Sequence, residues 1–120
     1  MSRRVMVLGL DGATWDLLEP WLQAGHLPQL ACLREGGAWG RLRSTTPPFS
    51  ATAWTTFATG VNPGKHGVFD FWYHGPGGRR LPIDANRARV PALWQRLSAA
   101  GKRVAVINVP LTYPPVSVKG

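Results

Sequence analysis

The chain predicts an α/β fold, a mostly parallel sheet with flanking helices, on three observations. Val5, Met6, Val7 and Leu8 form a short apolar run of the kind that parallel strands bury on both faces. A turn containing Gly9, Asp11 and Gly12 follows, and a helical pattern begins directly after it. Residues 104–107 make a second such run after an amphipathic stretch, and strand, helices and strand in series imply a right-handed crossover between parallel neighbours.

Taken in order, residues 4–10 read as the first strand. Thr14 caps a helix that carries Leu17, Leu18, Trp21 and Leu22, with Asp16 and Glu19 near its positive end. Pro20 is expected to interrupt this helix and Gly25 to end it. A second helix opens near Pro28, buries Leu30 and Leu33, and closes at Gly36 and Gly37. Residues 38–43 give a weaker strand. Pro47 and Pro48 prevent a helix from starting earlier than Ser50, which is placed as the cap of a helix over residues 51–59; Gly60 and Pro63 stop it. Ala53, Trp54, Phe57 and Ala58 share one face of that helix and are expected to pack on the sheet. Residues 71–89, with Gly75, Pro76, Gly77, Gly78 and Pro82 and no sustained periodicity, read as a surface loop. Pro91 opens a last helix with Leu93, Trp94, Leu97 and Ala100 inward and Gly101 closing it, and residues 103–109 form the second clear strand.

A chain of 120 residues with 44% hydrophobic content has enough material for one small core, and neither an internal repeat nor a second domain is visible. Two strands and a weaker third, however, leave sheet edges exposed. Residues 1–120 therefore read as a single incomplete α/β domain, marginally stable alone and prone to pairing through those edges. The formal charge of +8, from 14 basic and 6 acidic residues, attracts polyanions in general. Its carriers come in scattered pairs (Arg3 and Arg4, Arg41 and Arg43, Arg79 and Arg80, Arg87 and Arg89, Lys102 and Arg103) without a stripe or run, which argues against a dedicated nucleic-acid surface. The single cysteine, Cys32, excludes an intramolecular disulfide and a multi-cysteine zinc site, and beside Leu30 and Leu33 it reads as core packing. No run is long enough to span a membrane. The apolar stretch before Asp11 is too short for a secretory signal, so a cytoplasmic location is expected.

Two residues carry candidate chemistry. Asp11 ends the first strand, and in open α/β sheets ligands collect at that carboxyl edge. A bare carboxylate repels phosphate, whereas a divalent cation between them removes the conflict, which makes Asp11 a candidate metal ligand; supporting the turn or capping the next helix is the alternative. Ser50 stands at a helix start, where backbone N–H groups and a partial positive charge stabilise both a serine alkoxide and a bound phosphoryl oxygen. It is a candidate nucleophile, or an N-cap and nothing more. The segment GVNPGKH at residues 60–66 makes a poor phosphate-binding P-loop: it is one residue short between its glycines and lacks a Ser or Thr after Lys65. Lys65 reads as a solvated loop charge. His66 is a candidate ligand, or an imidazole that orders its own loop through backbone hydrogen bonds; His26 and His74 give it no metal-binding spacing.

Together these stretches resemble the type I phosphodiesterase and nucleotide pyrophosphatase branch of the alkaline phosphatase superfamily. The likeness rests on Asp11, Ser50, Thr59, Gly60, Pro63, His66 and Gly67, in the family's order and nearly its spacing, and on NVPLTYPP at residues 108–115, similar to the loop after the family's next parallel strand. It implies the amino-terminal part of an alkaline-phosphatase-like domain, with most of the family's Asp and His metal ligands lying beyond residue 120. The implied activity is a metal-dependent hydrolase acting on a phosphate-ester small molecule, inactive or nearly so as these 120 residues alone. The implied cofactors are two divalent metal ions, zinc in the family, with Asp11 and Ser50 among the ligands. Ser50 is the implied nucleophile, through a covalent phosphoseryl intermediate, with Thr52 as fallback and the N–H groups of Ala51 and Thr52 on a phosphoryl oxygen. Asp70 lies one residue out of register with an Asn that steadies the phosphoryl group in relatives. Sulfatases of the same superfamily need Pro two residues and Arg four residues after the nucleophile, and neither Cys32 nor Ser50 fits. Three alternatives remain: a phosphomutase of the superfamily, a noncatalytic basic nucleotide- or nucleic-acid-binding α/β module, and a purely structural fragment that does neither. The second predicts salt-sensitive binding that survives Ser50→Ala.

Overall fold

The computed structural model describes residues 4–120, which divide into two compact units, residues up to 43 and residues 44–120. In the first unit residues 4–10 have no regular secondary structure, and a turn at Asp11 and Gly12 leads to α1 (Trp15–Gln23). Thr14 caps α1 as expected, its Oγ1 accepting from the Asp16 amide at 3.4 Å. Pro20 lies inside α1 and does not interrupt it. Its ring removes only its own bond to the carbonyl one turn back, while its carbonyl still accepts from Ala24 N at 2.9 Å. Gly25, at φ +76, then ends the helix.

Pro28 opens α2 (Pro28–Gly36) at the first helical position. Leu30 is half-buried, but Leu33 is 68% exposed and Cys32 is exposed too, so neither belongs to a core as the sequence had implied. What joins this unit is aromatic and ionic. Trp15 and Trp39 lie 5.0 Å apart between ring centroids, and the Arg34 guanidinium sits 4.2 Å from the Trp39 ring. Arg34 also donates to Glu19 at 2.6 Å, and this hydrogen bond is the main cause holding the Glu19 carboxyl below its ordinary value. Trp15 Nε1 donates to Gly40 O at 3.3 Å, and residues 38–43 carry no strand assignment.

The second unit is built around α3 (Ser50–Thr59). The helix starts one residue earlier than expected: Phe49 is the cap and Ser50 the first helical residue. Gly60, at φ +70, closes it, and the short α4 (Pro63–His66) follows with Asn62 as its cap. The buried face of α3 is Ala51, Thr52, Thr55, Ala58 and Thr59; of the expected Ala53, Trp54, Phe57 and Ala58 only Ala58 is buried. Threonines fit this face because Thr55 and Thr59 donate their hydroxyls to the carbonyls of Ala51 and Thr55, at 2.8 and 2.7 Å, so that their burial leaves no hydroxyl unpaired. Phe57 stays 44% exposed.

Residues 71–89, expected to be an irregular loop, contain an antiparallel hairpin of β1 (Trp72–His74) and β2 (Arg80–Pro82), with Tyr73 opposite Leu81 on the half-buried face. Three residues per strand give too little alternation to read. At the turn, a Cβ on Gly75 would meet Leu81 Cδ1 at 2.6 Å and displace that side chain. Arg80 stacks on Trp72 at 4.9 Å and Arg87 on Tyr73 at 3.9 Å. α5 (Leu93–Ala99) begins with Gln95 Oε1 accepting from Ala92 N at 2.7 Å and ends at Gly101, φ +74. Trp94 is half-buried, whereas Leu93 and Leu97, expected inward, are 44% and 37% exposed.

The content is α/β, but among the described residues the only ladder is this antiparallel pair, and the mostly parallel sheet does not form. Residues 4–10, 38–43 and 103–109 carry no strand assignment. Parallel strands need a neighbour on either side to pair their backbone and cover their faces, and Val5, Met6, Leu8 and Ile107 are 78–87% exposed. Among the described residues no helix is long and apolar enough to cross a membrane.

Candidate active site

Ser50 enters α3 half-buried. The intrahelical ladder begins with Ala53 N donating to Phe49 O at 2.9 Å, so the amides of Ala51 and Thr52 precede it. Both residues are wholly buried. The Thr52 hydroxyl donates to Phe69 O at 2.8 Å. That contact ties the first turn of α3 to the loop after α4.

The same loop is fixed a second time, one helical turn further along. His66 is fully buried; its Nδ1 accepts from Val68 N at 3.1 Å, and its Nε2 lies 2.9 Å from Thr56 Oγ1. Because Nδ1 accepts a backbone N–H, the proton of the neutral ring is on Nε2, and Nε2 donates to Thr56. Burial pushes the His66 pKa below its ordinary value, favouring this neutral ring. Of its two sequence readings, the structure shows loop ordering. Gly67 follows at φ +79, and the backbone N–H of Arg89 donates to His66 O at 3.1 Å.

Two threonines one turn apart on α3, Thr52 and Thr56, thus grip Phe69 and His66, and the loop runs back along α3 toward its start. Asp70 comes next on that path, exposed, with its Oδ1 accepting from Phe71 N at 2.6 Å. Thr56, Val68 and Arg89 were not singled out in the sequence; a hydroxyl four residues after Thr52 was the available signal. The residues that carry the family likeness each have a local role: Thr59 is buried, Gly60 caps α3, Pro63 opens α4, and Gly67 ends it. In NVPLTYPP, Asn108 and Leu111 have φ +53 and +61, and Thr112 Oγ1 donates to Val109 O at 2.7 Å. Leu111 is a bulky residue in the sparsely populated left-handed region. A cleft of about 350 Å³ is lined by Trp54, Thr59, Asp84, Arg89, Trp94 and Leu111 among others. Ser50 is not one of its walls.

In the other unit Asp11 lies on an exposed turn closed by Ala13 N donating to Leu10 O at 3.4 Å, with Gly12 at φ +69. Asp11 and Ser50 bring oxygen donors of the kind divalent cations accept. Among the described residues no group of three or more His, Cys, Asp or Glu side chains forms a metal-holding cluster.

No curated protein and no solved structure matches the chain. The family model of type I phosphodiesterases and nucleotide pyrophosphatases matches residues 5–119, nearly the whole chain and both of its units, and the chain belongs to that family.

Proposed function

We propose that this chain is the amino-terminal part of a phosphodiesterase- or nucleotide pyrophosphatase-like hydrolase in which Ser50 is the nucleophile. The observation that carries the reading is Ser50 on the first turn of α3, beside two wholly buried residues whose amides precede the helical ladder, in a chain of this family. The Ser50 oxygen would attack phosphorus in line, forming an O–P bond as the leaving-group oxygen departs with its electron pair. Water would then cleave the phosphoseryl bond and return the hydroxyl. The helix start and the amides of Ala51 and Thr52 would hold the phosphoryl oxygen on which charge develops. Thr52, the fallback nucleophile, is better suited to positioning, since its buried hydroxyl already donates to Phe69 O. Asp70 would face the phosphoryl group from the neighbouring loop.

Divalent ions, zinc by family resemblance, would supply Lewis-acid charge at the phosphoryl group, with Asp11 and Ser50 among their ligands and the others from sequence beyond residue 120. The same extension would supply the parallel neighbours that residues 4–10 and 103–109 lack, making residues 1–120 one part of a single larger domain. The exposed apolar side chains of Val5, Met6, Leu8 and Ile107 support this. The 120 residues alone would then be inactive or nearly so. On the extended protein, Ser50→Ala and Asp11→Asn should each lower hydrolysis of bis(p-nitrophenyl) phosphate at least about a thousandfold. Hydrolysis that persists in both variants would remove the assignment.

A further inference from the structure

The His66 imidazole is wholly buried with both ring nitrogens engaged, and attack on phosphorus by Ser50 makes no direct use of it. Its two bonds run to different elements. Nε2 reaches Thr56 on α3, and Nδ1 receives Val68 N from its own loop, so the ring joins helix and loop as a bracket with one permitted tautomer. Three residues on, Phe69 O receives the Thr52 hydroxyl, one helical turn nearer Ser50. The loop is therefore held against α3 at two levels, His66 at the far one and Phe69 at the near one, and Asp70 follows the near one directly. Gly67 permits the reversal between them: its φ is +79, and a Cβ there would come within 3.1 Å of Arg89 Nε.

We propose that His66 is a positioning residue for phosphoryl transfer, holding the loop that carries Phe69 and Asp70 in register with the first turn of α3 through Thr56 and the Val68 amide. It touches no reacting atom. It sets where the loop lies beside Ser50 and the Ala51 and Thr52 amides, and a displacement of about 1 Å in such a support costs on the order of a hundredfold in rate. The inference rests on Ser50 being the nucleophile, so its test includes that residue.

Steady-state hydrolysis of bis(p-nitrophenyl) phosphate by the extended protein, for Thr56→Val, Thr56→Ser, His66→Gln and Ser50→Ala, separates the possibilities. Thr56→Val keeps the shape and deletes the acceptor of Nε2–H; Thr56→Ser restores it. The expected result is a fall in kcat of about 10- to 100-fold for Thr56→Val and His66→Gln with KM changed less than about threefold, and recovery in Thr56→Ser. Near-ultraviolet circular dichroism like that of the wild type shows that the variants are folded. If folded Thr56→Val and His66→Gln turn over at the wild-type rate while Ser50→Ala is inactive, the His66 proposal is overturned and the nucleophile stands. If Ser50→Ala retains wild-type turnover, the nucleophile assignment fails, and the proposal falls with it.

Discussion

His66 shows how a side chain with two readings in sequence is resolved by its partners in space. As a histidine beside a lysine in a Gly- and Pro-rich segment it reads as a ligand or a loop-former; buried between Thr56 and Val68 N it is a neutral structural ring. Its pKa is lowered by burial, so the unfolded chain binds this proton more readily than the folded one. The resulting stability is fully present above the ordinary imidazole value of 6.5 and is lost as pH falls from there through the lowered folded value. Urea unfolding midpoints should therefore drop between pH 7.5 and pH 5, and His66→Gln should flatten that dependence. A midpoint equally pH-dependent in both proteins would place the titrating group elsewhere. Gly67 is the second informative residue. Gly67→Ala forces a β-carbon into the left-handed region and against Arg89, and should cost at least about 1–2 kcal/mol of unfolding free energy by denaturant titration.

At the scale of elements, the four longer helices were legible, the short α4 was not, and neither were the helix faces. Thr14, Pro28, Gly25 and Gly60 acted as the start and stop signals their chemistry predicts, because capping is decided within a few residues. The inward face of α3 escaped because threonine counts as polar in a hydrophobic pattern, yet once its hydroxyl is bonded to a carbonyl one turn back it packs as a small apolar group. The close packing this allows has a measurable consequence. Ala51 is wholly buried, and Ala51→Leu should destabilise the unit by about 1–3 kcal/mol through overpacking, whereas the same change at Ala99, exposed on α5, should cost little. Equal thermal shifts for the two would contradict the assigned face. The hairpin at Trp72 and Arg80 was missed for a different reason: its three-residue strands are defined by their partner, and only the Gly75 turn was visible locally.

For the molecule as a whole, the parallel sheet was the expectation furthest from what is observed, because strand pairing depends on distant chain and no local pattern can supply the neighbour. The helix start at Ser50 and the turn at Asp11 were legible, since these depend on local turns and caps. The threonine and histidine contacts that brace the helix were not, being made across 10 to 17 residues of chain. If residues 4–10 and 103–109 are strands of a larger sheet, hydrogen exchange should be fast at their amides in the 120-residue chain and slowed in a chain extended past residue 120; equally fast exchange in both would refute the larger domain. The role of Ser50 is tested most directly by acid-quenching the extended protein during turnover of a phosphodiester and locating the covalent adduct by peptide mass spectrometry. A phosphoryl group on Ser50, still carrying one ester group of the substrate, is the predicted result; an adduct on another residue, or hydrolysis undiminished in Ser50→Ala, would contradict it.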